Sequence, residues 1–214
     1  MDLYGFFRSS ASYRLRIALN LKGLDRTEHS VHLRRGGGEQ YSPEFRELNP
    51  QELVPVLVDD GLTLTQSMAI LEYLEERYPE VPLLPKGLGP RAEVRKLAQA
   101  IACDIHPINN LRVLQYLTGP AGLSEEDKNN WILHWVGIGF RALETELARS
   151  DMRGDYCVGD SPTIADCCLI PQIFNARRFG LDMSVYPTLV KIENTCAALG
   201  AFQDAHPSKQ DDAG

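Results

Sequence analysis

The spacing of apolar positions predicts a short strand followed by a helix at the start of the chain. "LYGFF" at 3–7 is short, aromatic and apolar, the composition of a buried strand. Leu15, Ala18 and Leu19 then share one helical face at i, i+3 and i+4, Ile17 and Leu21 widen the stripe, and Gly23 supplies a C-terminal stop. "EHSVHL" alternates as a strand does. "SPEFREL" begins with Ser42 as cap and Pro43 at the first helical position, and Asn49 and Pro50 end that helix. "VPVLV", the turn "DDG" and "LTLT" read as a hairpin, after which Ser67 is expected to cap the periodic helix "MAILEYLEERY".

The order strand, helix, strand, helix, hairpin, helix is that of a thioredoxin-like α/β domain, a four-stranded mixed sheet with helices on its faces. Four prolines between 79 and 90 are too many for a helix interior and predict an extended connector. Beyond it only helical patterns remain: 91–117 interrupted at Pro107, a long segment from Ser124, "TIADCCLIPQIFNARRF", and two shorter stretches to about 205. The expected organisation is therefore an α/β domain over 1–80, a linker over 81–90, an all-α domain over 91–207 and a polar, frayed tail, "PSKQDDAG", over 208–214.

Composition narrows the partners. At 214 residues, 43% hydrophobic and with a formal net charge of −7, the chain reads as an ordinary globular protein without the basic surface that nucleic acid or an anionic membrane would favour. No segment approaches the roughly 18 apolar residues of a bilayer span. The chain begins directly in a strand without a charged-then-apolar leader, so a cytoplasmic location is the expectation. Cys103, Cys157, Cys167, Cys168 and Cys196 are odd in number and lack Cys-x-x-Cys spacing, so neither a disulfide framework nor a metal site is expected. "RRGGGEQ" has three glycines but not the Lys-Ser/Thr of a phosphate-binding loop.

Chemistry enters at the strand–helix junction. Ser9 and Ser10 stand at a helix N-terminus, where unpaired N–H groups and the helix dipole favour an oxygen acceptor or an anion. Simple capping explains a serine there equally well.

Four stretches carry a family resemblance. "RSSASYRLRIAL", "NPQELVP", "TQSMAILEYLEE" and "VGDSPTIADCCLIPQ" together resemble the cytosolic glutathione transferases of the zeta class, over residues 1–207. That resemblance implies glutathione as cofactor, a homodimer, and a cis–trans isomerase of maleylacetoacetate or, in bacterial relatives, of maleylpyruvate. The class usually has Cys after the two serines, and here Ala11 occupies that place, so the chain brings no thiol of its own to the junction.

The resemblance also implies roles. Ser9 would face the glutathione sulfur, lowering the thiol pKa together with the helix dipole, and Ser10 would be a second donor or only the cap. Gln66 and Ser67 would hold the γ-glutamyl carboxylate at a helix start, the backbone of Val54 ahead of a cis Pro55 would pair with the tripeptide, and Gln40 would reach its glycine end. A cis-enone dicarboxylate needs a nucleophile that converts its double bond to a rotatable single bond, and guanidinium groups to hold its carboxylates. Arg8, Arg112 and Arg178 are the candidates, with His106 and Asn110 on the same central helix as Arg112; solvated or packing roles compete at each. Arg14 and Arg16 read as structural, and Thr163 with Asp166 as a capping box.

Other functions stay open at this point. A general zeta-class transferase or dehalogenase could use the same thiolate, and a non-catalytic binding protein could use the same fold.

Overall fold

The computed structural model describes residues 1–213. Two compact units emerge, Met1–Leu83 with Ala198–Gly214, and Leu84–Ala197.

In the first unit β1 (Asp2–Gly5), β2 (Thr27–Ser30), β3 (Val56–Asp59) and β4 (Leu62–Thr65) form one sheet in the order β2-β1-β3-β4. β1 runs parallel to β2 and antiparallel to β3, which pairs antiparallel with β4. The hairpin turns at Asp60 and Gly61, whose φ values of 49° and 79° are the two left-handed positions that suit a two-residue connection. α1 (Ser10–Lys22) follows β1, and its apolar stripe is fully buried at Leu15, Ile17, Ala18 and Leu19. Gly23 ends it in the left-handed region at φ 66°, donating to the carbonyls of Asn20 and Leu19. α2 (Pro43–Leu48) is capped by Ser42, whose hydroxyl accepts from the Phe45 N–H. α3 (Ser67–Arg77) packs beside α1, and a buried ion pair joins them: Lys22 Nζ donates to Glu75 Oε2 at 3.0 Å and to two backbone carbonyls, of Tyr78 and Val81.

The second unit is helical: α4 (Leu88–Gln99), α5 (Leu111–Thr118), α6 (Glu125–Arg149), α7 (Ile164–Arg178) and α8 (Pro187–Ala197). Val94, Leu97, Ile132, Phe140, Cys168 and Ile173 build its core. Reciprocal bonds between Ser124 and Asp127 start α6.

Several local expectations are revised. Ser67 does not cap α3: it is the first helical residue, and Gln66 stands in the cap position. α4 begins at Leu88, so Pro90 lies inside its first turn, where a missing N–H costs nothing. His106, Asn110 and Arg112 do not share a continuous helix. α4 widens into a π-helical turn over Ala100–Ile105, tightens into a 3-10 turn over Pro107–Asn109, and breaks at Asn110, which is extended at ψ 150° and caps α5. Pro107 accounts for the break, since its ring cannot continue the hydrogen-bond ladder. α9 (Gly200–Ala205) belongs with the sheet and α1, not with the helical unit, and the polar tail beyond it makes specific contacts in place of fraying.

Candidate functional site

Ser9 is the N-cap of α1, with extended backbone and an Oγ that accepts the Ser12 N–H at 3.2 Å. One lone pair is spent on the cap, and the hydroxyl still has a proton to donate. No acidic residue stands in the first turn to neutralise the helix dipole. Ser10 is the first helical residue and is buried, so of the two serines it is Ser9 that caps and lies more open. Ala11 is half-buried. Residues 6–9 form a turn closed by the Ser9 N–H donating to the Phe6 carbonyl at 3.0 Å.

Arg8 lies inside that turn, its guanidinium 5.0 Å from the Phe7 ring centre and 5.8 Å from that of Phe6. Partial burial, then the charge of Arg34, pulls its pKa below the usual guanidinium value. The charge that acts on Arg8 is thus another cation. His32 steadies the neighbouring loop: its ring meets Phe6 edge-on at 4.9 Å, and its Nδ1 accepts the N–H groups of Arg34 and Arg35. Arg34 and His32 carried no sequence signal beyond a glycine-rich loop.

At the start of α3, Gln66 has φ 68°, a left-handed conformation that is uncommon for a non-glycine residue and is typical of functional positions. Its amide donates to Gln51 Oε1 at 2.8 Å and is exposed. Ser67 is buried, and its Oγ accepts from Arg14 Nη1 at 3.1 Å. Arg14 therefore does more than fill the core. Its signal was a charge on the apolar stripe of α1, at i relative to Ile17, Ala18 and Leu21.

The Val54–Pro55 peptide bond is cis. Pairing of β3 begins only at Val56, so the polar groups of Val54 stay outside the sheet ladder. Gln40 is 3% exposed; its amide donates to the Leu33 carbonyl at 3.4 Å, while its buried Oε1 accepts no hydrogen bond among the described residues. A buried acceptor without a donor is costly and fits a ligand N–H.

In the helical unit, His106 is half-buried, Asn110 Oδ1 accepts the Arg112 N–H at 3.3 Å, and Arg112 is exposed. Arg178 ends α7 with its guanidinium 4.2 Å from the Phe179 ring centre. Thr163 and Asp166 form the expected capping box, and Asp166 also accepts the Cys157 N–H. Burial raises the Asp166 carboxyl while these hydrogen bonds oppose the shift. Burial also pushes the thiols of Cys157, Cys167 and Cys196 up, which suits packing and not nucleophilic attack. Cys103 alone of the five is exposed. Among the described residues no group of acidic, His and Cys side chains could hold a metal, and no helix is long and apolar enough to cross a membrane.

Comparison with known proteins extends these observations. Residues 3–82 match the glutathione S-transferase N-terminal domain and 139–207 the C-terminal domain. A probable maleylacetoacetate isomerase from Vibrio cholerae is 54% identical over 99% of this chain and 97% of its own. A holo structure of a bacterial maleylpyruvate isomerase, a zeta-class glutathione transferase, superposes with a TM-score of 0.97 at 47% identity, covering 100% of both chains. The maleylacetoacetate isomerase from Methylobacterium extorquens, solved with malonate and glutathione bound, superposes at 0.96 with 42% identity and 100% coverage of both.

Proposed function

The chain belongs to the zeta-class glutathione transferases, and from that premise we propose that it is a glutathione-dependent isomerase that converts maleylacetoacetate to fumarylacetoacetate in aromatic catabolism. One observation carries the reading: Ser9 heads α1 with its acceptor role satisfied by Ser12 and a hydroxyl proton left to donate. That proton and the dipole of a 13-residue helix both favour a thiolate over a thiol. Glutathione supplies the nucleophile, a thiolate that adds to the cis double bond, lets the resulting single bond turn, and leaves. A free thiol titrates near 8.5, so a downward shift of about two units, worth about 2.7 kcal/mol, makes the anion the larger fraction at neutral pH.

The chain's own residues suit that group. Gln66, Ser67 and the N-terminal backbone of α3 would take the γ-glutamyl carboxylate, the backbone of Val54 would take the peptide, and Gln40 Oε1 would accept an N–H from the glycine end. Arg8, stacked on the Phe7 ring with burial and then the charge of Arg34 pulling on its pKa, would bind a carboxylate of the substrate. Arg112, Arg178, His106 and Asn110 are proposed as further substrate contacts, and Ser10 as support for Ser9. A homodimer in the cytoplasm completes the reading, supported by class membership, the negative net charge and cysteines without disulfide spacing.

Maleylpyruvate isomerisation is the second reading, favoured by the holo zeta-class structure described above. Assay of the purified protein with both substrates, with and without glutathione, separates them. Turnover is expected only with glutathione, and the substrate with the higher kcat/KM is the natural one. No turnover of either would overturn the proposal.

A further inference from the structure

The turn that carries Arg8 is held from outside by the end of the chain. In a β-turn the closing bond joins the first carbonyl to the fourth N–H, which leaves the polar groups of the first central residue outside it. Both groups of Phe7 are taken here. Its N–H donates to Asp212 Oδ2 at 3.1 Å, and its carbonyl accepts from Arg16 Nη2 at 2.8 Å. Asp212 Oδ2 also accepts from the Ser30 hydroxyl at 2.9 Å, at the end of β2. Arg16 is 1% exposed; its Nε donates to the Ala205 carbonyl at 3.1 Å in α9, and Nη1 reaches the Phe6 carbonyl at 3.5 Å. Asn20 Nδ2 adds a bond to the Ala201 carbonyl, so α9 is fastened along α1 before the chain turns back to Phe7. Burial pulls the Arg16 guanidinium down to about 10, with Glu28 and then Asp212 among the charges that oppose the loss.

We propose that the segment from α9 to Asp212 is a clamp on the turn of residues 6–9, with Asp212 and Arg16 as positioning residues that set Arg8 and Ser9 for the reaction. The inference rests on the isomerase reading, because only there do the directions of the Arg8 guanidinium and the Ser9 hydroxyl matter. Only Arg8 lies between Phe7 and Ser9, so freedom at Phe7 becomes displacement of the hydroxyl relative to the helix N-terminus. A misplacement of about 1 Å can cost two orders of magnitude in rate. Contacts to the tripeptide at Gln66, Ser67 and Gln40 lie on other segments and do not depend on the clamp.

The test compares full-length wild type, Asp212→Ala and Asp212→Asn. Asn keeps an oxygen that can accept from Phe7 and Ser30, whereas Ala removes it. In Asp212→Ala, kcat should fall about tenfold with the KM for glutathione changed less than about twofold. The bound thiol should titrate about half a unit higher, read from thiolate absorbance against pH. Amide hydrogen exchange in the peptide spanning residues 5–9 should quicken, and Asp212→Asn should recover most of all three. Unchanged kcat, thiolate titration and exchange in Asp212→Ala would overturn the clamp, as would an Asn variant as impaired as Ala. A wild type that turns over neither substrate would sink the isomerase reading alone; exchange at 5–9 then decides the clamp, equal rates in wild type and Asp212→Ala counting against it.

Discussion

Arg14 Nη1 donates to Ser67 Oγ across 3.1 Å, although 53 residues separate them in sequence. The bond links the interior of α1 to the first residue of α3, so the hydroxyl proposed to meet the γ-glutamyl carboxylate is oriented by a buried cation. Ser67→Ala should remove that acceptor from the buried guanidinium, at a cost of about 1–3 kcal/mol. Urea unfolding should show the loss, and glutathione affinity should fall about tenfold. Ser67→Thr, which keeps a hydroxyl, should recover part of both; an Ala variant as stable and as tight as the parent would remove this pair from the account.

Ser9 caps α1, and substitutions can separate that cap from the thiolate role proposed for its hydroxyl. Ala costs about 1 kcal/mol at an N-cap, whereas Gly costs only a few tenths. Ser9→Gly should therefore nearly keep the parent's melting behaviour. It should still lose about 10–100-fold in kcat, the effect of about 1.5–3 kcal/mol from a hydrogen bond to a charged sulfur. If Ser9→Gly turned over at the parental rate, the hydroxyl would be a cap and nothing more.

Arg8→Lys preserves charge and removes the planar fork. A bidentate contact to the substrate would make this change raise KM for the dicarboxylate about tenfold, with KM for glutathione unaffected. The Arg112→Ala and Arg178→Ala proteins measured alongside should show increases that combine less than additively with Arg8→Lys, since all would serve one substrate. Identical substrate KM values in parent and Arg8→Lys would argue that Arg8 binds no carboxylate.

One pH dependence follows from packing away from the site. Tyr78 and Tyr73 both donate their hydroxyls to Asp59 Oδ2, at 2.6 and 3.0 Å. The bond to Asp59, then burial and the Asp59 charge, push Tyr78 from 10.0 up to about 12. The folded state thus keeps a proton that the unfolded chain gives up. The stabilisation is complete below pH 10 and is lost as pH rises through about 12. Denaturation midpoints of wild type should fall relative to Tyr78→Phe between those limits, and parallel curves would contradict the assignment.

Much of the fold was legible because local chemistry and burial agree. The stripe of α1 with Gly23, the Ser42–Pro43 start of α2 and the "DDG" turn each encode their own geometry in adjacent residues. The resemblance of "RSSASYRLRIAL" and "TQSMAILEYLEE" pointed to glutathione, and the matches over 3–82 and 139–207 agree with it. Pro107 marked an interruption, but not that the chain leaves the helix at Asn110 and starts a new one there, and Ser67 resembled a cap because serine suits both the cap and the turn that follows. Spacing could not show that Arg14 reaches Ser67, or that Asp212 crosses 205 residues of sequence to Phe7. A hydrophobic pattern reports which face of an element is buried; which polar group meets another depends on how separate elements pack, and only the tertiary structure decides that.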